Sequence, residues 1–132
     1  MDLENAIRKG MTREETFQVA EEHAAAHVGS GGSRVLATPW MIAFMERVAY
    51  RLLAEHLSPG ESSVGVLVDI RHLAPTPVGK TVRVKAEISE QAGSKVTFAV
   101  HAWDHVEKIG EGKHQRAVID EERFLRRLEA KV

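Results

Sequence analysis

Two periods of apolar residues divide the chain. Between Thr38 and Glu55 they recur every three or four positions. Met41, Met45, Val48 and Leu52 make one stripe, and Ile42, Ala49 and Leu53 widen it. Arg47, Arg51 and Glu55 fall on the wet side. Thr38 suits the N-cap of this helix, Pro39 suits its first position, and the turn residues SPGES follow it. After Ser62 the period becomes two. In SVGVLVDIRHL the even positions Val64, Val66, Val68, Ile70 and His72 share one face, with Asp69 and Arg71 on the other. TVRVKAEI, KVTFAVHAW and KHQRAVID predict three more strands, with turns at TPVGK, QAGS and VEKIGEG. EERFLRRLEAKV is a charged terminal helix. Ahead of the long helix, EETFQV alternates with Phe17 and Val19 on one face, AEEHAAAHV is helical in pattern, and the glycines and serines of residues 28–35 form a mobile loop. The order predicts an α+β domain in which an antiparallel sheet wraps against one long helix.

Composition narrows this further. The 132 residues suffice for a single domain, 1–132, with a modest core. The net charge of −1 gives no basic surplus for nucleic acid. The absence of cysteine excludes disulfides and thiolate zinc sites. No apolar run approaches the roughly 20 residues of a membrane span. The start MDLENAIRKG lacks the charged-then-apolar order of a signal peptide. The expectation is a cytoplasmic protein with no membrane or nucleic-acid partner.

The candidate chemistry begins at Glu46. Its helical neighbours Ile42, Ala43, Ala49 and Tyr50 carry no charge, so the carboxylate sits where a core residue is expected. Burying it unpaired costs several kcal/mol, which calls for an ion-pair partner or a function. His72 closes an apolar series and points to the same layer as a base or a donor, or as a core histidine satisfied by a carbonyl. Thr38 is a helix cap or a nucleophile that needs a neighbouring base. Eight helical residues rise about 12 Å, so Thr38 and Glu46 touch only if the helix starts irregularly or a second subunit completes the site. Gly65 interrupts a β-branched strand, as a bulge or as a close approach whose N–H stabilises an oxyanion. His114 and Arg116 share a face, and Arg116 suits a phosphate or carboxylate. His23 and His27 are spaced as two metal ligands on a helix, but no third ligand completes a metal site.

The runs ATPWMIAFME, SVGVLVDIRHLAPTPVG and GEGKHQRAVI together resemble the fluoroacetyl-CoA thioesterase-like family of hotdog proteins, from about Thr12 to Phe124. The resemblance implies a hotdog fold, at least a homodimer, and hydrolysis of an acyl-CoA thioester without a cofactor. It implies that Thr38, Glu46 and His72 are catalytic, that Gly65 lines the thioester site, and that Arg116 lies near the pocket. The specialised fluoroacetyl enzyme carries an aromatic lid ahead of its threonine, whereas this chain has GSGGSRV there. A broader or different short-chain acyl-CoA is therefore the expected substrate. The competing expectations are a hotdog enoyl-CoA hydratase and a non-catalytic acyl-CoA-binding module.

Overall fold

The computed structural model describes residues 3–132. In chain order the elements are α1 (Leu3–Ala6), β1 (Thr12–Gln18), a 3-10 turn (Glu21–His23), α2 (Ala25–Val28) and α3 (Thr38–Ala54). Strands β2 (Glu61–His72), β3 (Thr81–Ala92), β4 (Lys95–Trp103) and β5 (Lys108–Asp120) follow, then α4 (Glu121–Glu129). The strands form one antiparallel sheet in the order β1-β3-β4-β5-β2. Strands β3 to β5 meander, while residues 73–80 carry the chain from the β2 edge back to β3. The core lies between α3 and the sheet. Met41, Phe44, Met45, Val48, Leu52 and Leu53 of the helix are buried, as are the alternate residues of β3 and β4 from Val82 to Ile88 and from Val96 to Ala102. Each fully buried Leu, Val, Phe or Met contributes roughly 1.5–3 kcal/mol. No described helix is long and apolar enough to cross a membrane.

Several local expectations need correction. The N-cap of α3 is Ala37, without a side-chain cap, and Thr38 is already helical. Phe44 belongs to the buried face, while Ile42 is only half-buried. The helical pattern of AEEHAAAHV resolves into a 3-10 turn and one turn of α-helix. The β4–β5 turn lies at residues 104–107, where Asp104 Oδ1 accepts from the Val106 and Glu107 N–H groups at 2.8 and 3.0 Å. The glycines of KIGEG are thus inside a strand. A Cβ on Gly110 would collide with Met41 and Met45, and one on Gly112 with the backbone of Asp69 and Ile70.

The largest correction concerns β2. Its register against β5 slips between Gly65 and Leu67, so Val66 is the extra residue of a bulge. Facing partners run Gly65–Arg116, then Val68–His114, Ile70–Gly112 and His72–Gly110. The inward phase is therefore odd before the bulge and even after it. Ser63 and Gly65 join Ile70 and His72 on the helix side, while Val66, which strict alternation places inward, is 49% exposed.

Candidate active site

At the start of α3, Thr38 stands beside the end of β2. Its Oγ1 lies 2.7 Å from His72 Nδ1. The pair opens on a cleft of about 320 Å³ that Ser30, Ala37, Leu73 and Pro75 also line. Burial holds the His72 imidazole below its usual pKa, and the Ala74 backbone partly offsets this. Despite that proximity, His72 Nε2 is buried and makes no well-formed hydrogen bond among the described residues. A neutral ring that accepts from the threonine hydroxyl carries its proton on that second nitrogen.

Glu46 lies two turns further along. It is not a core residue: its side chain is 41% exposed and faces a groove shared with Ala43, Tyr50 and Arg116. Arg116 Nη1 is 3.8 Å from Glu46 Oε2, and the guanidinium also lies 5.4 Å from the centre of the Tyr50 ring. The buried Arg116 is held by Ser63, donating from Nε to Oγ at 2.8 Å and from Nη2 to the carbonyl at 3.1 Å. Burial works against its charge, which Glu46 and Tyr50 support. Gly65 closes this group. A Cβ there would stand 2.9 Å from Glu46 Oε2 and 3.5 Å from Arg116 Nη1.

The five candidates thus form two groups within one chain: Thr38 with His72, and Glu46 with Gly65 and Arg116. Because α3 is helical from Thr38 onward, an irregular start does not bridge the roughly 12 Å between the groups. Ser63 plays no part in the sequence reading, and Tyr50 enters it only as an uncharged helical neighbour of Glu46. The bulge hides the signal for Ser63, and Tyr50 takes its place through the contact of its ring with Arg116, which helix spacing does not show.

The model of the fluoroacetyl-CoA-specific thioesterase family matches residues 19–122. The chain belongs to that family. The fluoroacetyl-CoA thioesterase of Streptantibioticus cattleyicolor is 43% identical over 90 residues, which cover 68% of this chain and 65% of that relative. The aligned stretch is a little under two thirds of that relative's length. The solved structure of the fluoroacetyl-CoA thioesterase FlK is 34% identical, covers 96% of this chain and 98% of its own, and superposes with a TM-score of 0.89. A variant of FlK in complex with fluoroacetate and CoA is 35% identical, with coverage of 89% and 99% and a TM-score of 0.85. A hot-dog-like protein from Thermanaerovibrio acidaminovorans, 21% identical with coverage of 99% and 97%, shares the fold at a TM-score of 0.92. The architecture of this family member is a hotdog.

Proposed function

We propose that the protein hydrolyses short-chain acyl-CoA thioesters at sites shared between two copies of the chain. The observation that carries this is the division of the five candidates into two groups, one at the His72 end of β2 and the other around Gly65. The sheet edges differ. β1 is short and carries Arg13, Glu14 and Glu15. β2 has 12 residues, and Val66, Leu67 and Val68 are exposed on it. Charged short edges resist pairing, and long apolar edges invite it. Residues 65–69 are exposed throughout. Antiparallel pairing of two copies about the middle of that stretch sets His72 beside Ser62 of the partner subunit. Thr38 and His72 of one copy then approach Glu46, Gly65 and Arg116 of the other, in a homodimer with two equivalent sites.

The chemistry follows from the groups. The neutral His72 ring accepts the proton of the attacking hydroxyl, and the carboxylate of Glu46 of the partner subunit supports the imidazolium charge that forms. The Gly65 N–H stabilises the oxyanion that forms on the thioester carbonyl. His72 returns the proton to the departing CoA sulfur. Two routes use these groups: Thr38 attacks and forms an acyl-enzyme ester, which a water deprotonated by His72 then cleaves to release the acid and restore the hydroxyl, or Thr38 orients a water that attacks the thioester directly. Thr38→Ser active with Thr38→Ala nearly dead supports the first, and a partly active Thr38→Ala supports the second.

FlK was solved with fluoroacetate and CoA, which supports an acyl-CoA substrate here. The loop at residues 29–33 has no aromatic side chain and is exposed, so the expected discrimination between fluoroacetyl-CoA and acetyl-CoA is below about a hundredfold, or ~2.7 kcal/mol. The test is release of free thiol from a panel of acyl-CoAs by the purified protein. Thiol release from short acyl chains is expected. Binding without release removes the hydrolase reading, and hydration of an enoyl-CoA replaces it.

A further inference from the structure

His114 touches neither the cleft at Thr38 nor the groove at Glu46, yet it joins the parts of the second group. It is 1% exposed on β5. Its Nδ1 lies 2.8 Å from the Leu67 carbonyl oxygen, just past the bulge of β2. Its Nε2 lies 3.1 Å from Arg116 Nη1. Its Cε1 would stand 3.3 Å from a Cβ on Gly65. An arginine has donors only, so Nε2 accepts from Arg116. The ring proton is then on Nδ1 and donates to Leu67. Both nitrogens are committed, and the tautomer is fixed by its neighbours.

We infer that His114 is a positioning residue: through Nδ1–H it pins the bulged strand that presents Gly65, and through Nε2 it aims the Arg116 guanidinium at Glu46. The inference rests on the thioesterase reading for its effect on rate and on this chain's geometry alone for the contacts. The groups that face His114 are Arg116 on β5 and, beyond it, Glu46 and Tyr50 on α3. Phe98 on β4 and Ser63 on β2 bring no charge. Burial and the charge of Arg116 hold the ring below its usual pKa, and the Leu67 carbonyl and Glu46 partly oppose them. A proton added to Nε2 would set two donors and two positive charges against each other at 3.1 Å. Arg116 must then turn away, and Glu46 and Gly65 lose their register without any change at Thr38 or His72.

Two variants and one spectroscopic measurement test this. His114→Gln supplies a donor and an acceptor and does not titrate in this range. His114→Phe fills the ring volume with neither contact. With the preferred acyl-CoA, His114→Phe should lower kcat by about ten- to a hundredfold, the span of a lost hydrogen bond to a charged group, with KM little changed. His114→Gln should recover most of that loss and remove one proton from the acid limb of the kcat profile. A merely structural His114 would lower the melting temperature of both variants and leave the kcat and pH profile of the folded protein unmoved, which overturns the inference. Nitrogen-15 spectra of the wild-type histidines need no substrate. They should show His114 protonated on Nδ1, with the Arg116 Nε–H signal shifting as the ring titrates. A ring protonated on Nε2, or an Arg116 signal indifferent to that titration, overturns the inference even if the protein hydrolyses nothing. Correct spectra with no thioester released would instead sink the thioesterase reading and leave the contacts standing.

Discussion

The two halves of the candidate site are built differently. Thr38 and His72 meet because a helix start and a strand end lie side by side, and two side chains complete the contact. Glu46 is the accessible tip of a set that reaches inward through Arg116 to Ser63 and His114, across three elements and a bulge. A two-membered pair near the surface confines the effect of a change to the chemistry. A buried charged set passes the change on, because losing one member leaves its partner's charge or donor without a match. The half proposed to carry the proton transfer is therefore the simpler structure. The half that places charge needs more of the fold.

The largest effect is expected where both halves meet. Glu46→Gln keeps the shape and removes the charge. Its rate of thioester hydrolysis should fall by about a hundred- to ten-thousandfold, as should that of His72→Ala, and the double variant should be little worse than either. The fold should hold in melts measured alongside, with a small drop for Glu46→Gln, which leaves the Arg116 charge without its carboxylate. A stable, fully active Glu46→Gln protein would remove Glu46 from the chemistry.

Mixing sharpens the comparison next. If the halves come from different copies, a His72→Ala chain and a Glu46→Gln chain, each nearly inactive, should complement. In a mixed dimer one site receives both changes and the other receives neither. Random exchange of equal amounts should restore roughly a quarter of the wild-type sites, as two-fold symmetry requires. No recovery after verified exchange would place all the groups of a working site in one copy. A fully active monomer in light scattering would do the same.

A glycine gives the third and smaller test. The Cβ of Gly65→Ala would crowd Glu46 Oε2, the far end of a flexible and partly exposed side chain. The carboxylate can swing aside, so the fold should hold while hydrolysis falls by about tenfold, a loss of ~1.4 kcal/mol in the barrier. Gly112→Ala is the contrast. Its Cβ meets the backbone of Asp69 and Ile70, which cannot yield, so stability should fall before activity per folded molecule does. Thermal melts and hydrolysis rates of the two variants separate these outcomes.

The two halves were also unequally legible in the sequence. The apolar stripe of α3 and the alternation of β3 and β4 set out the core, because the helix keeps one phase throughout and the strands keep theirs from Val82 to Ile88 and from Val96 to Ala102, the register shift of β3 falling after its buried run. Thr38, Glu46 and His72 stood out as polar groups on or beside apolar faces. The bulge did not stand out: one added residue reverses every inward assignment before it. It moved Ser63 and Gly65 to the inner face and Val66 off it. The partner of Glu46 was invisible for a related reason. Arg116 is 70 residues away in sequence and meets the carboxylate only through the β2–β5 pairing. Gly110 and Gly112 looked like a turn because glycine in a strand and glycine in a loop have the same letter, and only the packing of Met41 and the β2 backbone tells them apart.

The smallest effect separates His72 from His114 by pH. Burial lowers the pKa of His72, of His114 and of His101 in the folded chain below the ordinary 6.5. In the window below that value the unfolded chain takes up protons that the folded chain refuses, so stability is complete above about pH 6.5 and falls as the pH drops through it. The melting temperature should decline by a few degrees between about pH 7.5 and 5.5. The halves should not share the decline equally. When His72 gains a proton, the Thr38 hydroxyl can rotate from donating to accepting, and the contact survives. When His114 gains one, Arg116 has no acceptor to offer, and the contact is lost. His114→Gln should therefore flatten the melting curve against pH more than His72→Ala does. Equal flattening would show that the two rings are held alike and that the contrast between the halves does not extend to their histidines, and a melting temperature that rises toward acid would overturn the lowered pKa values themselves.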